Sequence, residues 1–330
     1  MKRRELIALL GGAAATWPLA ARTQPSGKVA RIGWMGRGNP GMSNPLQDAF
    51  REGMRELGYV ETQSFVIEAR YANGEAELVA QQAAELERSG VDVIHAGPFE
   101  ALQAAKQHTS RVPIIMTPAA DPVAAGIVAS LERPGGNITG ITEMMPQLTP
   151  LRLQLLKQIS PALSRVAILW SPGTLSDGTF SQTLTAVRNA AQSLGVQVQV
   201  VEASKVDNFD AAFTAMAKER AEGLIVLVNP LFAFNGKRII ESANNLKLPA
   251  IHEWKGFVRN GGLISYGADL ADIYRRTAGL VDKILRGAKP SDLSVEGPKK
   301  IEMSVSIKAA SALGLTIPDV ILQRADEVVK

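Results

Sequence analysis

The chain has 330 residues, of which 46% are hydrophobic and 21% are charged, and it contains no cysteine. This length allows two globular domains, and the composition argues against a disordered chain. The absence of cysteine rules out disulfides, thiol nucleophiles and cysteine-based zinc sites. The first 23 residues hold Lys2, Arg3, Arg4 and Arg22 against Glu5, so they carry +3 of the net charge of +4. The remainder carries about +1, and we expect no nucleic-acid partner.

Residues 1–24 have the three parts of a bacterial export signal, namely a basic start, an apolar middle over 6–21 and small residues at its end. Arg3 and Arg4, followed by two apolar residues, resemble the twin-arginine export pattern, although Lys2 stands where Ser or Thr is usual. A general secretory signal is the alternative. The apolar run is too short and too interrupted for a spanning helix, and no cysteine follows it to carry a lipid anchor. We therefore expect a periplasmic protein.

The first half of the chain alternates apolar runs of strand length with segments of helical periodicity. The predicted strands are 29–35, 65–69, 91–96, 113–116 and 138–141, and the predicted helices are 43–57, 75–88 and 99–109. Residues 123–131 are predicted as a helical turn. Gly58 and Gly90 end two of the helices. This alternation is typical of right-handed βαβ units with parallel strands.

The same order begins again after a predicted helix over 148–159. The strands are then 166–170, 196–201, 223–228 and 250–252, and the helices are 180–194, 209–220 and 235–246. Gly195 lies 137 residues after Gly58, and Val166 lies 137 residues after Val29. We therefore predict an α/β fold with two doubly wound parallel-sheet lobes.

The last part of the chain departs from the repeat. It has predicted strands at 263–266 and 300–307 and predicted helices at 271–286 and 309–313. Such a tail is expected to cross back and tie the lobes together at a hinge. The predicted crossings are near 141–145, 265–267 and 295–299. Lobe 1 is then 25–144 plus 267–296, and lobe 2 is 145–266 plus 297–330.

Cofactor and metal signals are weak. Glycines follow the first strand, but their spacing does not fit a dinucleotide fingerprint, and neither a phosphate loop nor a nucleophile motif is present. His95 and His252 end corresponding strands and can face each other across a cleft. A metal needs three or four ligands, which these residues do not supply. The alternative is a histidine bonded at a strand end. We expect no cofactor and no metal.

Ligands of parallel sheets bind at the loops beyond the carboxyl ends of the strands. Asp121 and Glu253 each follow a short strand that ends one half, so either can pair with a ligand ammonium group. The alternatives are a turn-capping role for Asp121 beside Pro122 and a solvated loop position for Glu253. Gly97, Thr117 and Ser265 are candidates for binding a ligand carboxylate, and Phe99, Trp254 and Tyr266 for forming an apolar wall.

Several phrases, in this order, resemble the ABC-transporter substrate-binding proteins that include the tryptophan/tyrosine-type receptors. The phrases are MKRRELIALLGGAAATWPLAA, FREGMRELGYVE, AAELERSGVDVI, DPVAAGIVASLERPGGNITGI, RVAILWSP, GGLISYGADLADIYRRTAGLVDKILRGAKPSDLSVEGP and AASALGLTIPDVILQRADEVV. The resemblance covers essentially the whole chain. It implies a type I periplasmic-binding-protein fold, in which a three-stranded hinge joins two lobes, the ligand lies between them and no reaction occurs.

The resemblance also implies ligand contacts at six loops. Carried onto this sequence, they are Met35, Gly36, Gly97, Pro98, Phe99, Ala119, Ala120, Asp121, Asn229, Pro230, Glu253, Trp254, Ser265 and Tyr266. Two loops depart from the family pattern, because G-P-F stands where G-T-P is more usual, and His252-Glu253-Trp254 replaces a loop that often contains Tyr-Gly. The ligand is therefore expected to differ from that of the better-known relatives.

Together these observations predict an exported solute-binding protein of an ABC importer. We expect a monomer that captures an amino acid or a similar compound and delivers it to a permease of the inner membrane. The alternatives are an effector-binding sensor domain of the same fold and a two-domain α/β enzyme. The leader argues against the first, and the missing nucleophile constellation argues against the second. A neutral or anionic ligand is the alternative to a zwitterion.

Overall fold

The computed structural model describes residues 28–36, 44–72, 76–97, 99–173 and 175–330. The expected export signal and Pro98, one of the expected ligand contacts, lie outside these residues.

The elements alternate between strand and helix as the sequence predicts. The strands are β1 (Ala30–Gly36), β2 (Phe65–Tyr71), β3 (Val93–Ala96), β4 (Ile114–Ala119), β5 (Ile138–Thr142), β6 (Arg165–Trp170), β7 (Gln197–Glu202), β8 (Gly223–Val226), β9 (Ala250–His252), β10 (Ile264–Ala268), β11 (Ile301–Ser306) and β12 (Glu327–Val329). The helices are α1 (Pro45–Glu56), α2 (Ala76–Ser89), α3 (Phe99–His108), α4 (Met145–Ile159), α5 (Asp177–Leu194), α6 (Phe209–Lys218), α7 (Pro230–Phe234), α8 (Gly236–Asn245), α9 (Lys255–Arg259), α10 (Leu270–Leu285), α11 (Ile307–Ala312) and α12 (Asp319–Leu322). Short 3₁₀ helices occupy Val206–Asn208 and Pro290–Asp292.

In the described residues the strands form two sheets. The first has the order β2-β1-β3-β4-β5, and the second has the order β12-β11-β10-β9-β8-β6-β7. Neighbouring strands are parallel except for β10 and β11, which are antiparallel. Apolar clusters lie on both faces of each sheet. The expected α/β architecture of two doubly wound lobes is therefore confirmed.

Each sheet and the helices packed on it form a lobe. Lobe 1 is the first sheet with α1, α2, α3 and α10, since α10 packs against α1 and β4 although it comes late in the chain. Lobe 2 is the second sheet with α4–α9, α11 and α12. Helix α4 packs against α5 and the β8–β10 strands. Helix α4 thus follows a strand of lobe 1 but packs in lobe 2, and α10 follows a strand of lobe 2 but packs in lobe 1.

The chain passes between the lobes at three places in the described part of the protein: after β5, after β10 and before β11. These segments lie side by side. The N–H of Glu296 donates to the carbonyl of Gly140 over 3.0 Å, and that of Asp269 donates to the carbonyl of Lys300 over 3.0 Å. Three adjacent crossings form a hinge about which the lobes can rotate. The residue boundaries expected for the lobes stay a prediction.

Several helix boundaries differ from expectation. Helix α4 begins at Met145 rather than at 148, because Pro146 is in its first turn, where a missing N–H needs no helical partner. Helix α5 begins at Asp177 rather than at 180, because the Ser176 hydroxyl accepts the N–H of Thr179 over 3.0 Å. The expected helix over 235–246 is α8, and the short helix α7 precedes it where the sequence analysis predicted no helix. Residues 123–131, predicted as a helical turn, form turns and bends.

Candidate functional site

A cavity of about 250 Å³ lies between the lobes, where the loops beyond the carboxyl ends of both sheets meet. The lining residues from lobe 1 and the β5–α4 crossing are Leu46, Gly97, Phe99, Leu102, Pro118, Ala119, Ala120, Asp121, Pro122, Ala125, Ile127, Glu143, Leu270 and Tyr274. Those from lobe 2 are Leu175, Ser176, Thr179, Val228, Pro230 and Trp254. The position is the one that parallel α/β sheets use for ligands.

The cavity wall is mostly apolar. Its carboxylic acids among the described residues are Asp121 and Glu143, and no Lys, Arg or His lines it there. It also contains the hydroxyls of Ser176, the residue just before α5, and of Thr179, in the first turn of α5. An apolar enclosure with a few polar groups is typical of a small-molecule site.

The expected contact residues divide into two groups. Those that line the cavity are Gly97, Phe99, Ala119, Ala120, Asp121, Pro230 and Trp254. Those that do not line it are Met35, Gly36, Thr117, Asn229, Glu253, Ser265 and Tyr266. Asn229 and Glu253, together with Trp254, border a small neighbouring recess of about 10 Å³. The sequence therefore predicts which loops reach the cavity better than it predicts which of their side chains face it.

The Asp121 carboxylate caps the turn that follows it. Its Oδ1 accepts the backbone N–H of Val123 over 3.1 Å and that of Ala124 over 2.9 Å. This is the turn role considered as the alternative for Asp121. The residue still faces the cavity, so its charge contributes to the potential there even though one oxygen is committed to the backbone.

Glu253 is buried beside Arg152 and does not face the cavity. The Arg152 Nη1 lies 2.7 Å from the Glu253 Oε1, and the two side chains are 2% and 5% exposed. The same guanidinium donates to the Thr149 hydroxyl over 3.0 Å and to the Tyr266 carbonyl over 2.8 Å. The expected alternative of a solvated loop position for Glu253 is thus not what the structure shows. Its role is to fix Arg152 inside lobe 2.

Glu143 is the acid that the sequence analysis missed. It follows β5 at the first crossing, is 6% exposed and lines the cavity. Burial raises the pKa of Glu143 to about 8, the charge of Glu253 adds to the rise, and Arg152 opposes it. The signal was available, because Glu143 follows a short strand at the end of lobe 1 just as Asp121 follows β4.

His95 and His252 occupy equivalent places in the two lobes but do not face a cleft. The His95 ring stacks on Trp34 with centroids 4.0 Å apart, and the His252 ring stacks on Phe257 at the same distance. Burial lowers the pKa of each to about 3. Both are therefore neutral core side chains at physiological pH. Among the described residues, no group of three or more potential metal ligands occurs.

The lobes touch beside the cavity, where Gly178 in the first turn of α5 meets the loop after β4. A Cβ at Gly178 would lie 2.2 Å from the carbonyl oxygen of Ala124. Next to it, the Thr179 hydroxyl donates to the Asp121 carbonyl over 3.2 Å. This contact closes one side of the cavity, and only a residue without a side chain permits it.

Comparison with known proteins bears directly on this arrangement. The profile of the family described as ABC transporter substrate binding protein matches residues 39–329. The chain belongs to that family. This substrate-binding protein thus places its cavity between two lobes, and the family description gives it a binding role. None of the helices described is long and apolar enough to cross a bilayer.

Three relatives illustrate the similarity. A tyrosine-binding protein of Clostridioides difficile strain R20291 is 23% identical over 266 residues, which cover 81% of this chain and 75% of that protein. The crystal structure of a conserved domain protein from Vibrio cholerae is 27% identical with a TM-score of 0.82, covering 91% of this chain and all of that one. The structure of an ABC domain in complex with L-Trp from Streptococcus pneumonia is 24% identical with a TM-score of 0.83, and the match covers 92% of this chain and 100% of that one.

Proposed function

We propose that this protein captures an amino acid with an apolar or aromatic side chain between its lobes and delivers it to an inner-membrane permease. The observation that carries the proposal is the cavity between the lobes, whose described side chains are apolar apart from two acids and the hydroxyls of Ser176, Thr179 and Tyr274. An apolar wall binds the ligand side chain, while an acid receives its ammonium group. The names of the relatives, one tyrosine-binding and one in complex with L-Trp, support an amino acid ligand.

The ligand carboxylate has no cationic side chain to meet among the described cavity residues. Ser176 and the hydroxyl of Thr179 lie at the beginning of α5, an 18-residue helix. The Ser176 hydroxyl donates to the Thr179 hydroxyl oxygen, and the Thr179 hydroxyl donates to the Asp121 carbonyl, so the positive end of the helix dipole is what favours an anionic group here. We therefore place the ligand carboxylate on the lobe 2 side and its ammonium on the side of the acids, so that binding joins the two lobes. This arrangement binds and releases a solute without catalysis.

The proposal is tested by measuring the melting temperature and calorimetric affinity with L-tryptophan, L-tyrosine, L-leucine, L-glutamate and L-arginine. We expect stabilisation by the apolar or aromatic amino acids, because a ligand that binds only the folded protein raises its melting temperature. The two charged amino acids serve as controls, since their side chains have no partner in an apolar wall. Binding of none of the first three would contradict the proposal.

Trp254 supplies part of the apolar wall from lobe 2, so Trp254→Ala is expected to weaken binding. Loss of the buried ring surface corresponds to about 1.5–3 kcal/mol, or roughly 10- to 150-fold in Kd. Trp170→Ala is the matched control, because Trp170 stacks on Phe180 at 3.7 Å between centroids and does not line the cavity. Equal affinities of the two variants, measured by calorimetry, would show that Trp254 does not contact the ligand.

We also propose that the protein acts in the periplasm as a monomer, after export directed by residues 1–24. The mature chain is expected to begin between residues 21 and 26, since small residues set the cleavage point. Changing Arg3 and Arg4 together to lysine should retain the precursor in the cytoplasm if the twin-arginine route is used. Cell fractionation and N-terminal sequencing measure both outcomes, and a periplasmic protein that still begins at Met1 would contradict cleavage.

A further inference from the structure

Two carboxyl groups and a single guanidinium are buried together where the first crossing enters lobe 2. Glu143, Arg152 and Glu253 are 6%, 2% and 5% exposed. Three ionised groups of this kind would leave one negative charge without compensation in a poorly solvated place. Burying an uncompensated charge is costly, so one of the carboxyls must hold a proton or meet an external cation.

The hydrogen bonds decide which carboxyl this is. Arg152 is held against Glu253 at 2.7 Å, and Glu253 also accepts the backbone N–H of Val228. In the described part of the chain, by contrast, no hydrogen bond or ion pair reaches the Glu143 carboxyl. Glu143 is also the member of the group that lines the cavity. The uncompensated carboxyl is therefore the one that a ligand can approach.

The other ionisable groups around Glu143, as far as the described residues go, do not compensate its charge. On α10, Tyr274 lines the same cavity and donates its hydroxyl to the Thr117 carbonyl over 3.2 Å. Burial raises the pKa of Tyr274, so it stays neutral. Asp121 in the loop after β4 is a second acid. At the third crossing, Glu296 forms an ion pair with Arg276, so their charges neutralise each other.

We propose that Glu143 is the residue that selects an ammonium group, and that it carries a proton while the cleft is empty. When the ligand enters, the O–H bond of Glu143 breaks, its proton passes to the solvent buffer, and the carboxylate pairs with the ammonium ion without forming a covalent bond. This inference rests on the proposed function and adds to it the charge of the ligand and the exchange of a proton.

Proton release makes ligand binding depend on pH. The pKa of Glu143 is raised to about 8, so the empty protein is protonated at this position below that pH. Only the ionised form pairs with ammonium. Affinity should therefore rise about tenfold per pH unit up to pH about 8 and then level off, with about one proton released per ligand below it.

The test is calorimetry at pH 6.5 in buffers of different ionisation enthalpy, which counts the protons released. The first probe is whichever of L-tryptophan, L-tyrosine and L-leucine stabilises the protein most. The second probe is the corresponding amine, which has the same skeleton without the carboxyl group. Both probes carry the ammonium, so both are expected to release about one proton. The deaminated acid of the same skeleton is expected to release none.

Glu143→Gln should bind the amino acid more weakly, release no proton and show no rise in affinity between pH 6 and 8. Glu132→Gln is the matched control, because it makes the same change at an exposed acid that does not line the cavity and should leave both the affinity and the proton release unchanged. If the wild-type protein binds the amino acid without releasing a proton, the inference is wrong while the proposed function stands. If none of the three amino acids binds at any pH, the proposed function itself fails. The wild-type proton count decides the matter even if Glu143→Gln does not fold.

Discussion

Replacing Arg152 by leucine is expected to lower the free energy of unfolding by about 3–5 kcal/mol at pH 7.5, because removing one partner of a buried ion pair leaves an uncompensated charge. The variant leaves the Glu253 carboxylate buried without its ion-pair partner, and it also removes the group that donates a hydrogen bond to the Tyr266 carbonyl. Urea denaturation of the ligand-free protein measures the loss.

Two further variants make this result specific. Arg188→Leu makes the same substitution at an exposed position of α5, and it should change the free energy of unfolding by less than about 0.5 kcal/mol. The double variant Arg152→Leu with Glu253→Leu should recover part of the loss, because neither charge is then buried. Lowering the pH should also narrow the gap between Arg152→Leu and wild type as Glu253 becomes protonated. An Arg152→Leu protein as stable as wild type at pH 7.5 would contradict the assigned role.

Gly178→Ala is expected to impair closing of the lobes while leaving each lobe folded. The new Cβ would lie 2.2 Å from the Ala124 carbonyl oxygen across the cleft, a separation that requires the lobes to move apart. Overpacking of this kind costs about 1–3 kcal/mol. Since the cost arises only in the closed state, it should appear as a roughly 5- to 150-fold loss of affinity.

Small-angle scattering provides the matching structural measurement. Wild-type protein should become slightly more compact on adding the amino acid that binds it, and Gly178→Ala should respond less at the same ligand concentration. Gly279→Ala is the control, because a Cβ at Gly279 in α10 would meet no neighbouring atom within 4 Å. That variant should bind and close like wild type. Full affinity of Gly178→Ala would show that the lobes need not approach this closely.

The site separates what local sequence can predict from what it cannot. Loops after β3, β4 and β9 were expected at the cavity, and Gly97, Asp121 and Trp254 lie there. Position along a parallel sheet is a local property, since every strand end reaches the same edge. The direction of a side chain within such a loop is not. Glu253 turns inward to Arg152, which is 101 residues away in the chain.

The sequence by itself determined the alternation of strands and helices, the repeat of that order in two halves and the tail that returns between them. Apolar runs of strand length and glycine at helix ends carry this information, because burial and backbone conformation act within a few residues. Only the tertiary structure decided which acid is available to a ligand. Glu143 and Glu253 both follow short strands, yet α4 brings Arg152 to Glu253 and leaves Glu143 facing the cavity. The difference arises from the packing of α4 against the second sheet, and no local pattern around either residue records it.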